Sequence, residues 1–328
     1  METSLQIENQ YSIEEHFSEK LVAKRIKDLF NEPEAQKVIN QGAELLTEFI
    51  NGEYYQSKMN RLAQLKGMDM HELALAIFER VAFFIKPELY TSATAQLALH
   101  LGFSDRREAI LTVAELLAVL SETGLFEIYK ESKYSSLKIV SNLELDEQLL
   151  KDIENCAYVP PMVCKPLTLK HNRSSGYLTD QGSSLILGGA VNHHEGDLCL
   201  DVLNTLNSVE LSLNTKFLSY LEEDGKEITT ESIKEAALKK GKLLSEVEAA
   251  ERRDLALANW EEFKIQSYEN YVLMVKHGNR FHLTHKVDKR GRIYAQGYHI
   301  TTQGTSFKKA MIDLANQETL EVPEEFKL

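Results

Sequence analysis

The chain has few of the residues that build disulfide or metal frameworks. Its 328 residues include three cysteines, Cys156, Cys164 and Cys199, and none belongs to a C-x-x-C pair. This usage argues against a disulfide or zinc framework and predicts reduced, buried thiols. No apolar run approaches the length that spans a bilayer, and the amino terminus lacks the layout of a signal peptide. These absences predict a cytoplasmic protein with no membrane partner.

The motifs of common nucleotide and metal enzymes are also missing. Gly241-Lys242 lacks the glycine five residues ahead of Gly241 that a P-loop requires, and there is no H-E-x-x-H. His282 and His285 have no third ligand nearby in sequence, and in a strand they would point to opposite faces. No metal site and no serine-histidine-aspartate set is therefore predicted in this chain.

Positive charge is scarce overall but concentrated in two places. The formal net charge is −13, which disfavours nucleic-acid binding because phosphate contacts need cations. Residues 276–292 nevertheless hold six lysines or arginines and one acid, and residues 165–173 hold three cations and no acid. A basic run is often only a solvated face. Two basic islands in an acidic chain favour local contact with an anion.

Hydrophobic spacing predicts a mostly α (α+β) fold. Apolar residues recur at helical intervals in 39–50, 73–84 and 110–120. Residues 126–140 alternate and predict a β-hairpin with its tip near Glu131–Tyr134. A helix is expected from Asp197 to Leu221, followed by one or two charged helices in 231–276. The last segment should form strands from Phe281 and a short helix over 308–316.

Four segments carry a resemblance to a known family. DKRGRIYAQGYHITTQGTSFKKAMIDLA (288–315) resembles the D-x-x-G-R segment of the single-subunit RNA polymerases of the T-odd phage and mitochondrial type. VPPMVCKPLTLKHNRSSGYL is similar to the family's Pro-rich stretch that ends in a Gly-aromatic pair, and LCLDVLNTLNSVELSLNTKFL to its following helix. LTVAELLAVLSETGLFEI is similar to the helix that leads into the family's upstream hairpin. The four segments keep their order and cover roughly residues 105–328.

The resemblance implies the amino-terminal part of a right-hand polymerase. Residues 1–225 would form a helical amino-terminal domain with an upstream hairpin near 126–140. Residues 226–276 would form a thumb-like helical segment, and residues 277–328 would supply the first palm strands with the D-x-x-G-R motif.

The resemblance also implies a set of nucleic-acid contacts. Gly291 would let backbone approach a phosphate closely, and Arg292 would offer a planar fork to it. Such contacts position a template without reading its sequence. The residues expected to contact the template strand, the RNA–DNA hybrid or the RNA are Asp288, Arg290, Gly291, Arg292, Tyr294 and Lys309. Further candidate DNA contacts are Lys165, Lys170, Arg173 and, at the hairpin tip, Tyr134.

No catalytic residue is expected in this chain. In the family, the two palm aspartates that hold the metal ions follow the D-x-x-G-R segment, as do the fingers and His-Asp-Ser motifs. This sequence stops first and contains no His-Asp, Tyr-Gly or Asp-x-Ser-Gly. It is expected to be a fragment, or the smaller subunit of a split, heterodimeric RNA polymerase like that of the N-four-like bacteriophages.

The interpretation as a subunit of a split, heterodimeric polymerase implies several partners. A second subunit would carry the palm and fingers motifs and hold Mg²⁺, and this chain would be a nucleotidyltransferase only together with it. The other expected partners are template DNA, nascent RNA, nucleoside triphosphates and a single-stranded-DNA-binding helper protein. The location would be the cytoplasm of an infected bacterial host.

Two alternatives stay open. Helices followed by a hairpin in residues 92–140 also fit a DNA-binding transcription regulator of winged-helix type. A structural or adaptor protein with an incidental basic strand is the other. A regulator should bind duplex DNA as a monomer, whereas a polymerase subunit should expose an unpaired sheet edge.

Overall fold

The computed structural model describes residues 4–100, 103, 105–130, 132, 136–156, 158–182, 184–220 and 228–316. The chain forms two compact units, Glu19–Cys156 and a second that joins Met1–Ser18 to Ala157–Leu328. About 55% of the structure is helical with few strands, which confirms the mostly α (α+β) class. The functional boundaries at residues 225 and 276 stay predictions. Among the described residues, no helix has the length and apolar character that a bilayer crossing demands.

The helices and strands are numbered here in chain order. The helices are α1 (Ser4–Phe17), α2 (Glu19–Leu29), α3 (Pro33–Asn51), α4 (Gln56–Leu62), α5 (Met70–Val81), α6 (Tyr90–Leu97), α7 (Arg106–Leu120), α8 (Glu147–Asn155), α9 (Gly189–Asn192), α10 (Leu200–Asn207), α11 (Thr230–Leu238), α12 (Glu246–Lys276) and α13 (Ser306–Ala310). The strands are β1 (Glu88–Leu89), β2 (Phe126–Tyr129), β3 (Lys138–Ser141), β4 (Leu211–Leu213), β5 (His285–Val287), β6 (Ile293–Ala295) and β7 (Ile312–Leu314).

The Glu19–Cys156 unit has a core of close-packed helices. The helices predicted over 39–50, 73–84 and 110–120 are confirmed as α3, α5 and α7. Asp69 and Asp105 cap α5 and α7, because each carboxylate accepts two backbone N–H groups of the first turn. The ring of Phe78 lies 6.4 Å from those of Phe30 and Phe126 at the centre.

The predicted hairpin in this unit is confirmed. Strands β2 and β3 pair antiparallel, with Phe126 opposite Ser141 and Tyr129 opposite Lys138. Strand β1 pairs with the other edge of β3, giving the sheet order β1-β3-β2. The tip residues Glu131 and Tyr134 lie outside the described residues, so the DNA contact expected of Tyr134 stays a prediction.

The winged-helix alternative for residues 92–140 rests on α6 and α7 followed by the β2–β3 hairpin. In such a fold α7 would be the helix that reads DNA. Here α4 lies along it: Arg61 donates hydrogen bonds to Thr112 and Glu115, each at 2.9 Å, and Gln64 donates to Glu108. These contacts occupy polar side chains that a DNA-reading helix would need to present to bases.

The other unit depends on helix α1, which packs against the segments that follow residue 157. Glu14 is fully buried, and its carboxylate accepts the backbone N–H groups of Leu178 and Thr179 and the Thr179 hydroxyl. Gln10 donates to Glu14 and accepts the N–H of Val163. The first turns of the chain therefore fix two loops that are more than 150 residues away in sequence.

Two predicted helices are wrong in extent. Helix α10 covers only Leu200–Asn207, and the chain continues as β4, because Leu211 and Leu213 both point into the core and pair with β7 and Phe281. Helix α13 ends at Ala310, and the residues up to Leu314 form β7. In both cases a long-range strand pairing overrides the local helical spacing.

Three other predictions are settled by the fold. The charged segment 231–276 forms two helices, α11 and α12, each opened by a capping box. The strands expected after Phe281 are present as β5 and β6. The thiols of Cys156 and Cys164 are buried as predicted, whereas Cys199 is exposed, since it precedes α10 at the surface.

We predict that Glu14→Ala destabilises the unit containing α1 by about 2–4 kcal/mol, because the half-buried Leu178 and Thr179 lose the acceptor of their backbone N–H groups. Denaturant unfolding of the full chain would measure this. Glu8→Ala is the control, since Glu8 is an exposed residue of the same helix. Equal stability of the two variants would contradict the proposed anchoring role of Glu14.

Candidate nucleic-acid interface

The D-x-x-G-R motif forms the turn between β5 and β6. Asp288 Oδ1 accepts the backbone N–H groups of Arg290 at 2.9 Å and Arg292 at 3.0 Å. Asp288 Oδ2 accepts the guanidinium of Arg292, with Nε at 2.7 Å and a terminal nitrogen at 2.6 Å. Gly291 has φ +81°, a left-handed conformation that glycine adopts readily. The motif thus encodes a rigid turn whose aspartate holds its arginine.

This ion pair leaves part of Arg292 available. Burial alone raises the pKa of the Asp288 carboxyl, but the hydrogen bonds and charge of Arg292 outweigh it and hold that pKa below its usual value. The Arg292 side chain is 55% exposed and binds Asp288 through one edge of its fork. Its carbon Cζ lies 5.7 Å from the ring centroid of Tyr294. A guanidinium held in this way is oriented before any anion arrives.

The hairpin has an apolar face and a polar face. Val287 and Ile293 are opposite each other and pack against a small core that includes Leu185, Ile186 and Leu203. Lys286 and Tyr294 are the pair on the other face, because strand residues alternate in direction. Three of the predicted contacts, Arg290, Gly291 and Arg292, are exposed at the turn, and Tyr294 is half-buried.

The predicted Gly-aromatic pair lies against this hairpin. Gly176 is buried, and a Cβ there would come within 2.8 Å of Thr284 Cγ2 and 3.1 Å of Pro166 Cβ. The Thr284 hydroxyl donates to the Tyr177 hydroxyl at 3.2 Å. Burial raises the pKa of Tyr177 to about 12, so the phenol stays protonated at neutral pH. The loop therefore packs so closely on β5 that only glycine fits at 176.

The second basic island is partly neutralised. Lys165 and Lys170 are exposed, as a DNA contact requires. Arg173 donates to Glu195 at 3.0 Å, and Glu195 also accepts from His193. The hydrogen bond from His193, followed by those from Arg173, lowers the pKa of Glu195. A DNA phosphate that contacts Arg173 would therefore compete with Glu195.

That network also contains a group that the sequence did not reveal. The Ser184 hydroxyl lies 2.8 Å from His193 Nδ1, and His193 Nε2 lies 2.8 Å from Glu195. Ser184 Oγ also accepts the backbone N–H of Ile186, and the serine is 5% exposed. A serine enclosed in this way orders the 171–196 loop; it is not placed to attack a substrate.

The two lysines of α13 have different surroundings. Lys308 Nζ donates to the Tyr298 carbonyl at 2.7 Å and lies 4.5 Å from the Tyr298 ring centroid and 4.8 Å from that of Phe263. Lys309 is exposed. Of the pair, Lys309 has the side chain that can reach a ligand, in agreement with its assignment to RNA.

Some residues of this site were missed by sequence reasoning. Glu14 and Thr284 position the loop and hairpin; Glu14 belongs to no motif, and Thr284 is an uncharged residue within the basic segment 276–292. In the sequence, Lys286 contributed only to the count of positive charges in 276–292. Its position opposite Tyr294 could have been predicted from the alternation of side chains along a short strand.

Across the described ranges, no three side chains of His, Cys, Asp or Glu converge as a metal site would require. The assignment of Mg²⁺ to another chain stays a prediction.

Comparison with known proteins shows a similarity to an RNA polymerase. The chain is 27% identical over 204 residues to a probable DNA-directed RNA polymerase of Gelasinospora sp. (strain G114). The match covers 60% of this chain and 22% of that protein, so the chain spans about a fifth of the length of the curated relative it matches. No protein-family model matches the sequence. The similarity supports a relationship to RNA polymerases.

We predict that two glycine substitutions fail for different reasons. Gly176→Ala should cost about 1–3 kcal/mol of stability, because its methyl group overlaps Thr284 and Pro166. Gly291→Ala should cost about 1 kcal/mol from backbone strain alone, since there is open space at this position. Denaturant unfolding of both variants tests the ranking. A larger loss at Gly291 than at Gly176 would show that the loop packs less tightly than described.

Proposed function

We propose that this chain is the amino-terminal subunit of a two-chain DNA-directed RNA polymerase, which binds template, RNA–DNA hybrid and RNA and completes the partner's active site. The observation that carries the proposal is the β5–β6 turn. It presents an oriented, exposed Arg292 next to Gly291, where there is open space for a phosphate to approach. Charge-assisted hydrogen bonds from a planar fork suit a phosphodiester.

The similarity to a probable RNA polymerase supports this choice over the regulator. It extends over 60% of the chain, too much to reflect one short basic motif. Contacts from α4 and the turn after it also occupy three polar side chains of α7, namely those of Glu108, Thr112 and Glu115. The match covers 22% of the relative, and we propose that a second chain supplies the parts of the polymerase outside this similarity.

The same proposal gives roles to two charged helices and to three lysines. Helix α12 has 31 residues, roughly 46 Å of helix, and its buried residues are mostly in its second half. We assign it, with α11, to the thumb-like segment that would lie along the hybrid. Lys309 would face the RNA, and Lys165 and Lys170 would contact DNA.

Open strand edges indicate where a partner would join. Within the described residues, β6 pairs only with β5, and β7 pairs only with β4. An unpaired edge is a template for another strand. The partner subunit would extend the palm from these edges and hold Mg²⁺ with its own carboxylates. Nucleoside triphosphates would enter the joint site, and a helper protein that binds single-stranded DNA would assist melting in the host cytoplasm.

We predict that the purified chain synthesises no RNA on a primed scaffold with Mg²⁺, and that a palm-bearing partner restores synthesis. The physical reason is that two-metal catalysis needs carboxylates that we assign to the partner. The assay is nucleotide incorporation by each chain alone and by the mixture. A partner whose metal-binding aspartates are replaced by asparagine is the control. Incorporation by this chain alone would contradict the proposal.

We predict that Arg292→Ala weakens binding of the assembled enzyme to an RNA–DNA scaffold by about ten- to a hundredfold, because one charge-assisted contact is lost. Arg292→Lys should recover only part, since an ammonium lacks the fork. The matched control is Arg280→Ala. Arg280 is 50% exposed, close to the 55% of Arg292, but it pairs with Glu210 and Asn316.

Thermal unfolding separates this role from a structural one. If Arg292 serves only to hold Asp288, Arg292→Ala should lower stability and leave scaffold affinity at the level of the Arg280→Ala control. That outcome would remove Arg292 from the interface.

A further inference from the structure

Lys286 is the cation of the hairpin that the motif does not include. It lies in the middle of β5, opposite Tyr294, on the same face as the side chain of Arg292, which contacts Tyr294. Its side chain is half-buried, unlike those of the exposed cations of the turn. Lys286 and Arg292 therefore belong to one polar face that a ligand could span.

Lys286 has no counter-ion in the described part of the chain. No carboxylate there lies within ion-pair distance of its ammonium group, and no hydrogen bond from its Nζ is formed to another described residue. Burial lowers the pKa of Lys286, and no neighbouring charge offsets this. A half-buried cation without a partner is unfavourable unless an anion compensates it. The Lys286 ammonium is thus a positive charge that no described carboxylate stabilises.

The cleft around Lys286 is narrow, and serine, threonine and glutamine residues are among those that line it. It is bordered by the loop from Ser174 to Gln181, by Gly182 and Ser184 and by β5. The Ser174 oxygen accepts the backbone N–H groups of Lys170 and His171, which directs its hydroxyl hydrogen elsewhere. The interior volume is about 20 Å³, room for one water-sized group and too small for a nucleobase. A single oxygen of an anion fits this space.

A second unsatisfied donor lies beside the cleft. The amide nitrogen of Asn207 is buried and has no acceptor among the described residues. It would be 3.6 Å from a Cβ at Gly176, a residue that lines the cleft. The carbonyl oxygen of the same amide lies 2.9 Å from His285 Nδ1. Two donors near the cleft, the Lys286 ammonium and the Asn207 amide nitrogen, thus have no acceptor among the described residues.

We propose that this cleft binds a backbone phosphate of a polynucleotide, with one phosphate oxygen entering beside the Lys286 ammonium. A polyanion can contact Lys286 and Arg292 at once along the same face of the hairpin, which a single free phosphate cannot do. The choice of polynucleotide rests on the proposed function, whereas the existence of the anion site rests on Lys286 and its cleft alone.

The test uses the full chain without a polymerase partner. Lys286→Met should weaken binding to a fluorescent single-stranded DNA about tenfold at low salt. It should also reduce the slope of log affinity against log salt by about 0.7, the value for one phosphate of a single strand. Lys37→Met is the control, because it removes one exposed charge that pairs with Glu34 in the other unit. Equal slopes for the two variants would overturn the proposal.

Two further measurements distinguish a phosphate contact of Lys286 from a structural role: the stability of Lys286→Met and its binding to modified oligonucleotides. Lys286→Met should fold with equal or greater stability, since it removes an unpaired buried charge; a large loss of stability would assign Lys286 a structural role instead. A neutral methylphosphonate linkage, moved along the oligonucleotide, should weaken the parent at one position and leave Lys286→Met unaffected there. If no linkage position behaves in this way, the result contradicts a contact between Lys286 and a backbone phosphate.

The source of the phosphate is tested by protection of Lys286 from acylation, measured by peptide mass spectrometry. The oligonucleotide should protect at concentrations where inorganic phosphate and a nucleoside triphosphate do not. Equal protection by either small anion would overturn the polynucleotide assignment, and no protection by any of them would overturn the site. Failure of the two-chain polymerase would appear separately, as lack of synthesis by the reconstituted wild-type enzyme.

Discussion

The buried carboxylate of Glu14 is the interaction on which the candidate interface depends. It accepts three hydrogen bonds from Leu178 and Thr179, directly after the aromatic residue of the Gly176-Tyr177 pair. Tyr177 in turn accepts from Thr284, one residue before β5. A chain of contacts therefore runs from the first helix through the loop to the hairpin. Because buried acceptors and donors are costly to separate, each link constrains the next.

Acidic residues decide which cations of this chain remain available. Glu210 pairs with Arg280, and Glu195 pairs with Arg173, so both arginines are largely neutralised. Asp288 differs because it also accepts the backbone N–H groups of Arg290 and Arg292, so the side chain of Arg292 is oriented within a rigid turn. In a chain with a net charge of −13, attraction for phosphate is limited to its few basic groups. An evenly basic surface would bind nucleic acid without fixing its position.

Local patterns were sufficient for much of the fold and for the turn. Helices α3, α5 and α7, the β2–β3 hairpin and the β5–β6 pair follow from periodicity, and the D-x-x-G-R turn follows from residues that bond within five positions. Strands β4 and β7 could not be predicted in this way, since each exists through pairing with a segment about 100 residues away. The role of Glu14 could not be predicted either, because its hydrogen-bond partners lie 164 and 165 residues further along the chain.

The difference between local and long-range contacts also explains why the D-x-x-G-R motif alone describes only part of the candidate site. D-x-x-G-R describes a turn that can form in many proteins, since all its bonds are internal. What makes the turn a candidate for binding is its setting: an apolar face that packs on Leu185 and Ile186, and a polar face with Lys286 beside the 174–182 loop. That loop is placed by α1, at the opposite end of the sequence. The interface is thus a property of the whole unit, and changes at α1 should alter nucleic-acid binding through the loop, without any contact of their own.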